Sequence, residues 1–260
     1  MTGRVRVERE GQLGFVVFEN VARHNALTLA MWRQIPEAVA ELDADPEVRV
    51  ILLRGAGDAA FISGADISEF EEARNPDNRE RYEQENAAAY AAIHDAQKPT
   101  IAMIHGFCIG GGLAIALNTD LRYAADDARL GIPAARLGLG YSPAGIRRLS
   151  QVVGFSRAQE IVFTAKRFEA REALQMGLVN AVFEKAELER QVTSIARTIA
   201  QNAPLTLRAV KRSVRELEKP ERDYDGAAAD AAVKACFESE DYREGVRAFL
   251  DKRPPQFQGR

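Results

Sequence analysis

The chain has 260 residues, 46% of them hydrophobic, and a formal net charge of −3 from 35 basic and 38 acidic side chains. That length and apolar content supply a sizeable core, while the slightly acidic balance and the lack of a Lys/Arg run exclude a phosphate-neutralising nucleic-acid surface. Two cysteines, Cys108 and Cys236, are too few for a disulfide framework, and no Cys/His spacing reads as a metal site. The first residues lack the apolar core of a secretion signal and no stretch has bilayer length, so a cytoplasmic enzyme without membrane contact is expected.

Residues 5–8 and 14–19 run apolar or alternate around Gly11, as a β-hairpin does. Residues 27–42 have helical spacing, with Leu27, Met31, Ile35 and Ala38 on one face and Pro36 as a kink or boundary. Residues 48–54 read as a buried strand, 75–78 as a loop tip around Pro76, and 79–96 as a long helix. Strand 101–104, helix 112–117 and strand 121–124 follow. Strands alternating with helices predict parallel βαβ units. After Pro143 the chain reads as mostly helical, with amphipathic segments at 187–200, 204–218 and 224–237 and a break at Pro220. Arg253-Pro254-Pro255 ends the last helix, and the pairs Arg147-Arg148 and Lys211-Arg212 read as solvated helix faces.

Two segments carry chemistry. Phe107-Cys108-Ile109-Gly110-Gly111-Gly112-Leu113-Ala114 joins an apolar strand to an apolar helix. Glycines there let backbone N–H groups face a ligand, and a helix N-terminus adds unpaired N–H groups and partial positive charge. Ala60-Phe61-Ile62-Ser63-Gly64-Ala65-Asp66-Ile67 repeats the arrangement after another strand. Two such sources can converge on one oxygen that develops negative charge.

These segments resemble the enoyl-CoA hydratase/isomerase (crotonase) family. The likeness extends to Arg23-His24-Asn25-Ala26-Leu27, to Gly177-Leu178-Val179-Asn180 and to the C-terminal stretch from Glu240 to Arg253. It implies an α/β fold, a spiral of ββα repeats. The core with its acyl-CoA site is expected over residues 1–200, and a C-terminal helical trimerisation region over 201–260. It places the oxyanion N–H groups on Ala65 and Gly111. Coenzyme contacts fall on Ala22, Arg23, His24, Ala26, Asp66, Ile67, Phe249 and Lys252, the last two across a subunit boundary. The implied substrate is an acyl-CoA thioester, with no cofactor beyond the coenzyme A moiety, and the implied assembly is a homotrimer or a dimer of trimers.

The chain also departs from that pattern. Hydratase members carry two glutamates, and the corresponding positions here are Ala114 and Ala134. A related isomerase aspartate falls on Ser142. Positioned acid–base catalysis is worth about 10²–10⁴ in rate, and an alanine methyl transfers no proton. Tyr141 lies where the methylmalonyl-CoA decarboxylase branch has a tyrosine, although that branch has histidine at the position of Ala65. The reading is therefore an enolate-forming enzyme, a decarboxylase-type lyase with Tyr141 in its site. The alternatives are a hydratase or isomerase with a relocated acid/base, a thioester hydrolase, and a non-catalytic acyl-CoA binder. His24, His94, His105 and Glu69 are secondary candidates. A surface role is expected for His24, a structural one for His94, a buried and backbone-bonded ring for His105, and a solvated face for Glu69.

Overall fold

The computed structural model describes residues 3–66 and 79–260. Ile67, Glu69 and the loop at 75–78 lie outside the described residues. The hairpin forms as expected: β1 (Arg4–Glu10) pairs antiparallel with β2 (Leu13–Glu19). β1 edges the sheet with alternating charges, Arg4, Arg6, Glu8 and Glu10, which discourages pairing with another chain.

From there the strands come in pairs. β3 (Val50–Gly55), β5 (Thr100–Ile104) and β7 (Leu121–Ala125) join β2 in parallel. With β10 (Ala181–Phe183) they complete a six-stranded sheet in the order β1-β2-β3-β5-β7-β10. The shorter strand after each, β4 (Ala60–Ile62), β6 (Phe107–Ile109) and β8 (Arg129–Gly131), enters a second sheet, β4-β6-β8-β9, closed by β9 (Phe168–Glu169). A long strand, a corner, a short strand and a helix make each turn. This is the spiral of ββα repeats that the resemblance implies.

Period-two alternation explains why the large sheet is buried on both faces. Val16, Phe18, Ile51, Leu53, Ala102 and Ile104 pack into one apolar cluster with α1 (Leu29–Ala44), α2 (Arg79–Asp95) and α3 (Gly111–Leu117). Their neighbours Phe15, Val17, Val50, Leu52, Ile101 and Met103 face the opposite way, onto α7 (Leu188–Ala200). α4 (Pro143–Val153), α5 (Phe155–Thr164) and α6 (Ala170–Gln175) add Leu149, Ala158, Ile161, Ala170 and Ala173 to the first of these clusters. The chain ends in α8 (Pro204–Glu218), α9 (Gly226–Glu238) and α10 (Glu240–Leu250).

Several boundaries differ from the sequence reading. Helix α1 begins at Leu29, because Thr28 Oγ1 caps Met31 N at 3.3 Å and Leu27 instead forms a β-bridge with Ala65. Pro36 sits inside α1 without ending it. The short strands β9 and β10 interrupt the region read as helical. Lys211 is not on a solvated face: its ammonium is buried, 2.7 Å from Asp120 Oδ2 and 2.8 Å from the Lys98 carbonyl it donates to. That contact ties α8 to the start of β7. Apolar side chains on the last three helices remain outside, among them Leu217 at 74%, Phe237 at 62% and Phe249 at 83% exposure.

Candidate active site

The site begins with a loop that is stitched to its neighbour through main chain. Residues 21–23 form a 3₁₀ turn, and His24 and Asn25 follow in the left-handed region, with φ of 51° and 56°. Asn25 is buried. Its Nδ2 donates to the carbonyls of Ala56 and Ala60 at 2.9 and 2.8 Å, and its Oδ1 accepts from Asn20 N at 3.0 Å. The loop then runs beside the first glycine segment: Ser63 N donates to His24 O, Leu27 N to Gly64 O and Asp66 N to Leu27 O, at 3.1, 2.8 and 2.9 Å. In this parallel register the Ala65 N–H points away from the loop.

It points towards the second segment. Gly110, with φ 55° and ψ −113°, caps α3 and donates its N–H to Gly131 O at 2.8 Å. Gly111 and Gly112 open the helix. A Cβ on Gly112 would lie 2.3 Å from Ile62 O, so only glycine lets α3 pass β4 this closely. A Cβ on Gly111 would lie 3.9 Å from Ala65 N and 3.1 Å from the edge of the Trp32 ring. The two predicted oxyanion positions therefore meet. Among the described residues, neither the Ala65 nor the Gly111 N–H donates to a protein acceptor. Two preorganised N–H groups in an apolar setting stabilise an oxyanion, each by roughly 3–4 kcal/mol.

The walls carry little acid–base capacity. Ala114, one turn into α3, and Ala134, which opens the 3₁₀ turn Ala134–Leu137, are both buried methyls. Ser142 serves as the N-cap of α4, its Oγ accepting from Gly145 N at 3.1 Å. Tyr141 packs on the main core, and burial pushes its phenol up to about 12. Its hydroxyl has no hydrogen-bond partner among the described residues, so it is not tied to backbone as a purely structural tyrosine would be.

The remaining candidates separate. His24 is exposed and stands edge-on to Phe107, ring centroids 5.8 Å apart. Ala22 and Arg23 are exposed beside it, Ala26 is buried, and Asp66 follows Ala65 directly. His94 is 3.5 Å from Glu218, near the end of α2, and burial with Arg148 nearby lowers its pKa. His105 corrects one expectation. Its carbonyl accepts from Phe61 N, but its ring Nε2 is buried without a partner among the described residues, and desolvation lowers its pKa. Phe249 and Lys252 share no hydrogen bond, ion pair or ring contact with the other predicted residues within one chain, among the described residues. Two contributors escaped the sequence reading. Asn25 reads in sequence only as part of a motif, although Asn side chains commonly bond nearby backbone in turns. Trp32, the single tryptophan, is 1% exposed, against Gly111 and edge-on to Tyr90 at 5.5 Å.

The whole arrangement has relatives. The family model for enoyl-CoA hydratase/isomerase matches residues 8–260. A short-chain-enoyl-CoA hydratase of Clostridium acetobutylicum is 34% identical over 96% of this chain and 95% of its own length. A peroxisomal Δ(3,5)-Δ(2,4)-dienoyl-CoA isomerase of Arabidopsis thaliana is 34% identical over 97% of the chain and 95% of its own. Among solved structures, an enoyl-CoA hydratase/isomerase family protein from Hyphomonas neptunium superposes with a TM-score of 0.93 at 38% identity, covering 98% of both chains. With the paired-strand spiral and the two meeting glycine segments already in place, these matches over nearly the full length mean that the chain belongs to the enoyl-CoA hydratase/isomerase family.

Proposed function

We propose that the protein turns over an acyl-CoA through a thioester enolate held by the Ala65 and Gly111 N–H groups, as a decarboxylase-type lyase. The observation that carries this reading is a pair of unengaged N–H groups beside methyls, not carboxylates, at positions 114 and 134. Decarboxylation suits such a site. The bond to the carboxylate carbon breaks, its electrons pass into the thioester enolate, carbon dioxide leaves, and the carbon then takes a proton from water. No base is needed to start it. Apolar walls around the leaving carboxylate favour its loss. The Tyr141 phenol stays protonated at neutral pH and is assigned a donor role towards that carboxylate.

In this reading the coenzyme is held by the loop carrying Ala22, Arg23, His24 and Ala26, and Asp66 and Ile67 are assigned to the same role. The exposed apolar residues of α8 to α10 support a homotrimer or a dimer of trimers, in which Phe249 and Lys252 reach a neighbour's coenzyme. A second reading, hydration or double-bond isomerisation with a relocated acid/base, is favoured by the activities for which the Clostridium and Arabidopsis relatives are named.

A mass-spectrometric turnover screen separates the readings, with crotonyl-CoA, a 3-enoyl-CoA and methylmalonyl-CoA side by side, each repeated on Tyr141→Phe. Loss of carbon dioxide from methylmalonyl-CoA, weakened in Tyr141→Phe, is the expected result. Fast hydration of crotonyl-CoA would overturn the decarboxylase reading. Binding of all three without turnover would leave an acyl-CoA carrier.

A further inference from the structure

Three of the four basic residues that read in sequence as solvated faces, Arg147, Arg148 and Arg212, converge in space. Arg147 and Arg148 on α4 meet Arg212 and Arg215 on α8, with Lys219 just beyond it, around a cavity of about 470 Å³. The cavity also reaches Asn118, at the C-terminal end of α3, and His94, near the end of α2.

Charge is not balanced there. The five cations share the lining with three carboxylates, Asp95, Glu216 and Glu218. Glu218 accepts from Arg148 at 2.5 Å, and Glu216 is divided between Arg212 at 3.1 Å and Lys219 at 2.6 Å. Arg147 and Arg215 donate to main-chain carbonyls instead, those of Glu218 (2.6 Å) and Ala96. A carbonyl orients a guanidinium without cancelling its charge. Those hydrogen bonds, with the Arg148 Nε bond to Leu117 O at 2.7 Å, hold the guanidiniums in place before any ligand arrives. Fixed guanidinium forks match tetrahedral oxyanions, and a net surplus of two positive charges matches a dianion. Every lining residue but Pro220 is polar or charged, which suits an anion better than an acyl chain.

The geometry points to a second anion site in this cavity, separate from the acyl-CoA site, that takes a small phosphate-bearing molecule. Calorimetric titration of the full chain with pyrophosphate at low ionic strength tests it, with and without saturating coenzyme A. Saturable binding is expected at one site per chain, undiminished by coenzyme A. It weakens about tenfold in Arg147→Gln and further in Arg147→Gln/Arg212→Gln, in line with the loss of charge-assisted hydrogen bonds. Circular dichroism checks that both variants fold. Three results would overturn the inference. One is no binding up to about 10 mM. Another is equal affinity in wild type and variants, which marks an adventitious ion only. The third is displacement by coenzyme A, which assigns the pyrophosphate to the coenzyme's own site. None of these readouts depends on which acyl-CoA the enzyme turns over.

Discussion

Gly112→Ala puts the convergence of the two glycine segments to a direct test. The added methyl would lie 2.3 Å from Ile62 O and 2.7 Å from Ile62 Cβ. Neither neighbour is the loose end of a side chain; one is strand backbone and the other the branch point of a fully buried residue. Restoring ordinary contact requires α3 and β4 to part by about 1 Å. Overpacking against atoms that cannot rotate away belongs at the upper end of its usual range, about 3 kcal/mol. In a chain of this size that lowers the melting temperature by about 6–12 °C. The same displacement separates the Gly111 and Ala65 N–H groups, and a misplacement of that order costs about 10²-fold in turnover. The matched control is Gly11→Ala in the first hairpin. There φ is positive, at 55°, unlike at Gly112, and no atom lies within 4 Å of the added methyl. Its cost is backbone strain alone, about 1–2 kcal/mol, with turnover unchanged. Scanning calorimetry and a steady-state assay on both variants suffice. If Gly112→Ala is no less stable than Gly11→Ala and keeps full turnover, α3 and β4 do not approach as described.

Three further expectations follow from the same geometry. Trp32 is the only tryptophan and abuts Gly111, so acyl-CoA binding should give a saturable change in its emission, lost in Trp32→Phe; calorimetric binding with a silent tryptophan would contradict the placement. Glu244 accepts from Arg253 at 2.7 and 2.9 Å and from Gln256 N at 2.9 Å, which holds its carboxyl down at about 2 from an ordinary 4.5. A depressed folded-state pKa stabilises above the unfolded value and stops doing so as pH falls through the folded one. The C-terminal segment should therefore loosen between about pH 4.5 and 2, seen as faster proteolysis, and Glu244→Gln should be loose throughout that window. Finally, Cys108 is buried with its thiol pushed up by desolvation, whereas Cys236 is half-buried on α9. Iodoacetamide should alkylate Cys236 alone in the native protein and both in denaturant, as mass spectrometry can count.

Legibility in the sequence tracked the length of the pattern. β3 and β5 are continuous apolar runs, and their place in a parallel sheet follows from those runs together with the alternation of strands and helices. β4, β6, β8 and β9 have two or three residues each, too few to show a period, so residue spacing alone does not reveal the second sheet. Leu27 sits four residues before Met31 and extends the apolar stripe of α1, yet it belongs to the site. Its N–H and carbonyl are taken by Gly64 and Asp66, a long-range pairing that no local spacing encodes. Lys211 and Arg212 show a different limit. Adjacent helical residues project about 100° apart. One side chain therefore reaches inward to Asp120 while the next faces the basic cavity, although the dipeptide reads as one charged patch.

The two halves of the candidate site are encoded differently, and that difference decides what relatedness can transmit. The proposed oxyanion hole is made of main chain. It needs glycine at 110 and 112 for conformation and clearance, and at 65 it needs only an N–H, which any residue but proline supplies. Such a feature survives wide divergence, and it is what the resemblance detected. In the proposed reading the proton-transfer half belongs to side chains at 114, 134 and 141, where a single substitution changes the reaction without disturbing the fold. Relatives at about one-third identity are accordingly named for different reactions, enoyl-CoA hydration and dienoyl-CoA isomerisation. Restoring carboxylates tests this separation. Ala114→Glu with Ala134→Glu should raise crotonyl-CoA hydration by about 10²–10⁴, the worth of positioned acid–base catalysis, while the Gly111 and Ala65 N–H groups stay as they are. No gain in a folded double variant that still binds crotonyl-CoA would show that positions 114 and 134 do not face the reacting carbons.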